Sequence, residues 1–464
     1  MADIDTLRVG VAKITDLVKP ANQLYTQENL TRLIRECVAA AFLGSTVEDH
    51  PLNRIVEPGM SVLIKPNWVH HYNQFNNGKG DLDCMYTQHA FTIAVLKEVV
   101  EAGAGQVIIG DAPVQGCNWQ ELITPGFLEQ VDKVCGNTPI KVVDFRRSIL
   151  NNFDMVTGVQ TDLRDESRFI LFNLGIDSLL EQISHPPGRF RVTMYDPRKL
   201  AATHAPGVHQ YLVCREAFEA DLILNLPKLK THRKAGLTGA LKNLVGINGN
   251  KDYLPHHRVG GTSWGGDCYP GFAPLKRLAE YFLDRANQNI GTKKYTRWER
   301  LAHGTQHFHS LFGDPDLEGG WFGNDTTWRM ALDINRILIY GCLDGSMADT
   351  PQRQVWSLSD AIICGQGEGP LAPEACLLGV VTFSNSPPAA DWVHALLLGM
   401  DPRKIPLVRE AFSEFRWPLA PTPSKVEVRY QNRAFTNPYD VHKLGIEARP
   451  ARGWASYCEL RATA

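Results

Sequence analysis

The strongest constraint on the fold lies between residues 221 and 257. The apolar run Asp221-Leu-Ile-Leu-Asn225 predicts a buried β-strand, and the chain then becomes cationic, glycine-rich and briefly helical in pattern. The residues that produce this change are Lys228, Lys230, His232, Gly236, Gly239 and Lys242. Cationic and titratable side chains at the carboxyl end of a strand, beside a glycine-rich helix start, are typical of anion sites in α/β proteins. The segment therefore predicts both a fold class and a site.

Strand and helix patterns alternate through the first part of the chain. Thr26 precedes a helix with apolar residues at i, i+3, i+4 and i+7, and a second helical pattern spans residues 88–102. Apolar runs predict strands at 7–12, 61–65, 106–111, 140–144 and 221–225. Because strand–helix–strand order requires a crossover, we expect parallel pairing among these strands.

The later part of the chain contains a second set of α/β patterns. Short β segments at 168–172 and 189–193 indicate that antiparallel strands interrupt the parallel α/β pattern here. Residues 258–325 are rich in Gly, Asp, Trp and His, which favours a long irregular insertion or lid with one helix near 274–286. Beyond it we predict a helix from Asp325 or Thr326, strands at 360–364 and 378–383, a turn at 365–369 between them, and a helix that begins at Pro387.

The predicted fold is α/β, with a mostly parallel sheet, two lobes around a cleft and a long irregular insertion. Residues 1–257 are expected to form an N-terminal α/β lobe that contains the glycine-rich site. Residues 258–325 would be the insertion or lid, and residues 326–464 the C-terminal α/β portion that completes the domain.

Composition excludes several classes of protein. Among 464 residues, 44% are hydrophobic and 21% charged, which is ordinary for a globular protein, and a net charge of -2 gives no basis for nucleic-acid binding. No run approaches the roughly 20 apolar residues of a membrane span, and the N-terminus lacks a signal pattern, so we expect a cytoplasmic protein. The ten cysteines include no Cys-x-x-Cys pair, so no iron–sulfur cluster or structural zinc is expected.

Polar side chains follow several of the predicted strands. The residues concerned are Lys65 and Asn67 after 61–65, Asp111 after 106–110, and Lys228, Lys230 and His232 after 221–226. The stability of core strands does not require polar side chains at their ends, so we interpret the group as a ligand site at the carboxyl edge of the sheet. Individually, Asp111 can equally cap its turn, and the glycines can serve close helix–strand packing while the lysines stay solvated.

These residues suggest distinct chemical roles. Lys65, Asn67, Lys228, Lys230 and the backbone at Gly236 and Gly239 would hold an anion. His232 would act as a general acid or base because its ordinary pKa lies near neutrality. Lys242, if enclosed beside other lysines, would have a lowered pKa and serve as a charge stabiliser or covalent anchor.

Two further positions complete the predicted catalytic and metal sets. Asp111, or alternatively Asp391, would orient a histidine or a metal ion. His256, His257 and Asp391 are the candidate metal ligands, and a role of His256 or His257 facing Lys242 stays open beside the metal role.

The chain resembles the family catalogued as domain of unknown function 362. The matching pieces are Val62–Asn67, Gly110–Pro113, Leu224–His232, Gly239–Gly246, Gly367–Pro370, Ala389–Asp391 and Leu398–Pro402. They occur in order over most of residues 60–402. The resemblance implies a fold but little chemistry, since the family has no settled common activity. Some members carry a ferredoxin-like iron–sulfur domain, and this chain has no cysteines of that pattern.

A second resemblance, around residues 221–257, is to the nickel-pincer lactate racemases. Their order of a histidine, a glycine-rich stretch ending in lysine and a later histidine is similar to His232, Ala235–Lys242 and His256 or His257 here. In that family the first histidine is an acid/base, the lysine carries the pincer nucleotide and the later histidine binds nickel. The chain departs from the pattern at Asp111, where a second catalytic histidine would stand, and at Lys65-Pro-Asn67 in place of the phosphate loop.

These observations favour an enzyme that acts on a small anionic substrate in an inter-lobe cleft. A transition metal or a nucleotide-derived cofactor is an open alternative, as are isomerase, racemase-like and transferase chemistry. The rival hypothesis is a non-catalytic binding or assembly protein for a phosphorylated or carboxylated ligand. Neither hypothesis involves nucleic acid or a membrane, and the sequence leaves the oligomeric state open.

Overall fold

A large mixed sheet forms the centre of the molecule in the computed structural model, which describes residues 6–15, 17, 23–42, 50–311, 313–314, 316–431 and 433–460. Its eleven strands are β1 Leu7–Lys13, β2 Ser61–Pro66, β3 Gln106–Asp111, β4 Ile140–Asp144, β5 Leu222–Leu226, β6 Lys228–His232, β7 Gly236–Thr238, β8 Gln354–Glu368, β9 Ala372–Ser384, β10 Val426–Tyr430 and β11 Arg433–Ala434. Their order across the sheet is β11-β10-β1-β9-β8-β5-β2-β3-β4, and β6 pairs with β7 and β8 beside this path.

Parallel pairs dominate the sheet. Strands β2, β3 and β4 run parallel to one another, and β5 runs parallel to both β2 and β8. Strand β1 is parallel to β10, while β8 and β9 form an antiparallel hairpin and β9 pairs antiparallel with β1. The predicted α/β class with a mostly parallel sheet is therefore confirmed. Two lobes around a cleft stay a prediction.

Helices cover both faces of the sheet. Their bounds are Gln27–Ala41, Phe75–Gly78, His89–Glu101, Trp119–Leu122, Pro125–Cys135, Pro197–Thr203, Glu216–Glu219, Ala240–Asn243, Pro274–Asn287, Lys294–Ser310, Thr327–Tyr340, Pro387–Leu397 and Pro406–Arg409. Smaller antiparallel sheets join Phe169–Asn173 with Val208–Cys214 and His204–Ala205, Phe190–Arg191 with His257–Arg258, and Ser148–Leu150 with Gln160–Asp162. No helix among the described residues combines the length and the apolar character needed to cross a membrane.

Alternation along the central strands divides the core into two layers. Val62 and Ile64 belong to one hydrophobic cluster, and Leu63 between them belongs to the other. Strand β5 repeats the pattern, with Leu224 in the first cluster and Ile223 in the second. Because both faces of each strand are covered, the consecutive side chains Val62–Ile64 and Leu222–Leu224 are all apolar, which explains the continuous apolar runs in the sequence.

Hydrogen bonds confirm the predicted Thr26 cap and show a cap at Ser386 that the sequence analysis did not name. The side chain of Thr26 accepts from the N–H of Asn29 at the start of helix Gln27–Ala41. Ser386 caps the helix that Pro387 begins, since its side chain accepts from the N–H of Ala389. Both helices pack their apolar stripes on the sheet.

Two predictions about the second half of the chain were wrong. Residues 258–325 are less irregular than expected, because helix Lys294–Ser310 follows the predicted helix in this region. Its pattern was missed because it buries only Tyr295 and Ala302 and leaves the apolar Leu301 and Phe308 exposed. Residues 365–369 do not form a turn between short strands, since β8 continues to Glu368. Gly365 is needed there because a Cβ would lie 2.7 Å from the carbonyl oxygen of Cys84.

Candidate functional site

The helix start after Gly239 is occupied by a carboxylate of the chain itself. Asp391 accepts hydrogen bonds from the N–H groups of Ala240 at 2.6 Å and Leu241 at 2.9 Å. It also lies 2.9 Å from Nδ1 of His394, and a Cβ at Gly239 would lie 2.0 Å from its Oδ1. The glycine thus makes room for this carboxylate, which satisfies the backbone groups that the sequence suggested for an external anion.

Lys65 and Asp111 meet at the ends of two neighbouring strands. Their Nζ and Oδ1 atoms are 2.8 Å apart, and both side chains are buried. Asp111 also accepts from the N–H groups of Trp68 and Ala112, and Lys65 also donates to the side chain of Asn243. Burial lowers the pKa of Lys65, and the nearby Asp111 opposes this shift. The pair therefore links β2, β3 and the helix start from inside the protein.

Lys228 and Lys230 also point into the interior. Lys228 donates to Asp360 and to the hydroxyl of Tyr25, each at 2.9 Å. Lys230 donates to the side chain of Asn67 at 2.7 Å and to the carbonyl of Met85. No carboxylate among the described residues pairs with Lys230, and burial lowers its pKa to about 7. Lys228 therefore has a structural counter-ion, whereas Lys230 has only neutral acceptors.

His232 is held in one tautomer by the backbone. Its Nδ1 accepts from the N–H groups of Lys234 at 3.0 Å and Ala235 at 3.1 Å. Burial first, then the positive charge of Lys242 and other neighbours, lowers the pKa of His232 well below its ordinary value. The ring is therefore neutral at pH 7, and its proton lies on Nε2.

His256 is held in the opposite tautomer. Its Nδ1 lies 2.7 Å from the carbonyl oxygen of Leu254, which can only accept, so the ring proton lies on Nδ1. Burial and then Lys242 lower the pKa of His256 well below its ordinary value. Its Nε2 thus carries a lone pair, while Nε2 of His232 carries a proton. No other described residue forms a hydrogen bond with either Nε2.

Three partly buried lysines surround these histidines without carboxylate partners among the described residues. Lys234 contacts Thr193 and Nδ1 of His257 at 3.3 Å, and Lys251 donates to the carbonyl of Ala112 at 2.9 Å. The Lys242 side chain forms no hydrogen bond or ion pair with another described residue. We call Lys234, Lys242 and Lys251 the lysine cluster.

The members of the lysine cluster influence one another electrostatically. Burial first, and then Lys251 and Lys234, lower the pKa of Lys242 to about 7. Burial lowers the pKa of Lys251 to about 8, although Asp111 opposes the shift. Glu318 acts on Lys234 and Asp111 on the other two lysines, but no described carboxylate forms an ion pair with the cluster, so its charge would attract an anion.

The candidate metal ligands are not brought together. Among the described residues, the group of three histidine, cysteine or carboxylate side chains whose ligand atoms all lie within 4.8 Å of one another is His50, Glu98 and Glu101. His256 and His257 do not form such a group with Asp391, whose oxygens bond the helix start. Among the residues that the structure describes, the candidate ligands at the glycine-rich segment therefore form no cluster of three around one point.

The sequence analysis named His232, Lys242 and His256, and the charge of Lys242 lowers the pKa of both histidines. Their joint role in a site stays a prediction. Lys234 and Lys251 were missed, although Lys234 lies two residues beyond His232. The high number of lysines in residues 228–251 would have drawn attention to Lys234 and Lys251. Only the fold shows which of these lysines have partners inside the protein and which do not.

Comparison with known proteins decides the family. The family described as "Domain of unknown function (DUF362)" matches residues 156–395, which is more than half of the chain. The chain belongs to the DUF362 family. The resemblance found in the sequence is thereby confirmed.

Known relatives of this DUF362 protein match it over part of their length. The thylakoid-associated protein sll1697 of Synechocystis sp. is 25% identical over 195 residues, which are 42% of this chain and 41% of the relative. The chain thus spans about two fifths of that relative's length.

Two solved structures are also similar to this DUF362 protein. A Thermotoga maritima protein matches with a TM-score of 0.29 and 11% identity, over 77% of this chain and 54% of the other. Lactate racemase apoprotein from Thermoanaerobacterium thermosaccharolyticum matches with a TM-score of 0.30 and 10% identity, over 81% and 55%.

Proposed function

We propose that this DUF362 protein is an enzyme that removes a proton from a carbon atom beside the carbonyl or carboxylate of a small anionic substrate. The observation that carries the proposal is a pair of neutral histidines, His232 and His256, fixed in opposite tautomers, whose pKa values are both lowered by Lys242 of the lysine cluster. One imidazole can accept a proton at Nε2 and the other can donate a hydrogen bond from Nε2. Isomerase and racemase-like reactions can use such a base together with such a donor.

Each group has a separate role in the proposal. The lysine cluster attracts and holds the anion. His256 is the general base, because its Nε2 lone pair is free and Nδ1–H is held by Leu254. His232 donates a hydrogen bond to the substrate oxygen on which negative charge develops. A neutral imidazole suits this donor role, since its proton stays on the ring.

The proposal includes the cleft that the sequence predicted. The site would open between residues 1–257 and 326–464, with residues 258–325 as its cover. In support, the carbonyl of His256 accepts from the side chains of Asn324 at 3.0 Å and Thr327 at 2.7 Å. The base is thus tied to the point where the insertion ends and helix Thr327–Tyr340 begins.

Sulfate binding tests the anion site. Sulfate keeps its charge between pH 6 and 9, whereas Lys242 and Lys251 lose theirs as the pH rises through about 7 and about 8. We expect sulfate to raise the melting temperature more at pH 6.5 than at pH 9. K242M should reduce the effect, and K425M, at an exposed lysine, should not. Equal stabilisation of K242M and the wild type would contradict the proposed site.

Proton exchange separates an enzyme from a binding protein. We would incubate the protein in D2O with small 2-hydroxy acids, 2-oxo acids and sugar phosphates, and follow deuterium at the carbon beside the carbonyl by NMR. Exchange that H256A abolishes, with sulfate binding retained, would support the enzyme. Sulfate binding without exchange by any compound would favour the alternative, a non-catalytic protein for a phosphorylated or carboxylated ligand.

A further inference from the structure

Residues 274–311 form two helices with an excess of positive charge. They contain seven lysine and arginine residues and three acidic residues, whereas the whole chain has a net charge of -2. Each acidic side chain has a partner outside the exposed lysines and arginines of the segment: the N–H of Gly260 for Glu280, Arg191 for Asp284, and the hydroxyl of Tyr295 for Glu299. The exposed positive charge of the segment is therefore left to interact with something else.

The two helices pack on each other through their inner sides. The rings of Phe282 and Trp298 are stacked with their centroids 5.9 Å apart. Ala286 and Tyr295 are buried in a small hydrophobic cluster of their own, separate from the two layers of the main core. Residues on the opposite side of the second helix, Lys294–Ser310, can therefore be changed without opening the core.

One face of helix Lys294–Ser310 presents lysine and arginine side chains to solvent. Four of them are exposed and form no ion pair with a carboxylate among the described residues: Lys293, Lys294, Arg297 and Arg300. Three apolar side chains, 42%, 52% and 67% exposed, lie on the same side of the helix by their spacing: Leu301, Phe308 and Leu311. We call these seven residues the cationic helix face.

A shallow groove opens on the cationic helix face. Its volume is about 450 Å³, and its lining residues are Lys293, Thr296, Arg297, Arg300 and Leu301. Three positive side chains and a hydroxyl group thus meet around one groove. A phosphate group carries the negative charge and the acceptor oxygens that these donors require, and the two guanidinium groups match its geometry.

We propose that the cationic helix face docks on the surface of a membrane that contains anionic phospholipids, with a lipid phosphate in the groove. Helices that carry lysine and arginine beside exposed apolar side chains lie in the headgroup region of such membranes, because charge attraction and apolar burial act together. A nucleic acid would satisfy the positive charges but would offer Leu301 and Leu311 no apolar interior. Contact of this kind requires no spanning helix.

Vesicle flotation tests the proposal. The full chain is mixed with vesicles of phosphatidylcholine alone, or with vesicles that also contain about one third phosphatidylglycerol. We expect the protein to float with the anionic vesicles only, and added salt to weaken the binding. R297E/R300E should lower the partition coefficient for anionic vesicles by at least about tenfold. The matched control K425E/R433E, which reverses two exposed cations elsewhere, should lower it by less than about twofold.

A second variant separates membrane insertion from charge attraction. L301S/L311S keeps every charge and changes two exposed side chains, so its melting temperature should equal that of the wild type. We expect its partition coefficient for the anionic vesicles to fall by at least about threefold, because less apolar surface enters the headgroup region. An unchanged coefficient would contradict the docking of this face on lipid.

The wild type alone can overturn the proposal, whatever the folding of the variants. Equal flotation with neutral and anionic vesicles, or flotation with neither, would do so. Binding to single-stranded RNA that R297E/R300E abolishes, without any binding to vesicles, would assign the face to nucleic acid instead. None of these variants changes the lysine cluster, so the sulfate and exchange experiments test the proposed function separately.

Discussion

Lys65 and Asp111 form a buried ion pair with a distance of 2.8 Å, at the carboxyl ends of the parallel strands β2 and β3. The pair also restricts which residue can stand at position 246, beyond the short helix Ala240–Asn243. A Cβ at Gly246 would lie 2.0 Å from Asp111 Oδ1 and 2.7 Å from Lys65 Nζ. Glycine is therefore required at this position.

Removing one charge of this pair should destabilise the fold. D111N leaves the buried Lys65 ammonium without a counter-ion, and we expect a loss of about 3–5 kcal/mol in the free energy of unfolding. The double variant K65M/D111L should lose less, because two apolar side chains leave no charge unpaired. Urea denaturation measures both values. A D111N variant as stable as the wild type would contradict the structural role.

Removing the Asp391 carboxylate should destabilise the protein more than removing an exposed carboxylate that caps a helix. D391A leaves the N–H groups of Ala240 and Leu241 unsatisfied in the interior, so we expect a loss of about 2–4 kcal/mol. D165A removes an exposed carboxylate that accepts from the N–H of Ser167, and should destabilise the protein much less. Chemical denaturation compares the two. Similar losses would show that burial adds nothing at Asp391.

Lys242 should oppose folding at neutral pH in the absence of a ligand. Its folded pKa of about 7 lies below the ordinary 10.5, so the unfolded chain binds its proton more tightly. The free energy of unfolding should therefore rise with pH between about 7 and 10.5. K242M should exceed the wild type in melting temperature at pH 7 and approach it near pH 10. A difference in melting temperature that stays constant over this pH range would contradict the lowered pKa of Lys242.

The buried pair His204 and His209 should make the protein sensitive to acid. Their Nδ1 atoms are 3.2 Å apart, and burial lowers the pKa of His204 to about 3 from 6.5. Stability from the neutral ring is complete above pH 6.5 and is lost as the pH falls toward 3. H204N should flatten the decline of urea midpoints between pH 6.5 and 4, relative to the exposed control H442N. Parallel declines would exclude this pair as the cause.

Local patterns predicted the sheet strands and helix starts because their causes are local. Apolar runs at 61–65 and 221–225 need burial on both faces of the strand. A threonine before a helix accepts a hydrogen bond from one of the first N–H groups, and a proline in the first turn has no N–H group to satisfy. Helix Lys294–Ser310 was not predicted because only Tyr295 and Ala302 of its side chains are buried, so its apolar residues give a weak periodic signal.

The sequence by itself determined the α/β class and the family, because periodicity and residue order encode these directly. Only the tertiary structure decided which charges are internal. Lys228 and Lys242 look alike in the sequence, yet Asp360, 132 residues beyond Lys228, neutralises the first. No described carboxylate pairs with the second. Charge compensation depends on distances across the fold, and neighbouring residues in the sequence do not fix those distances.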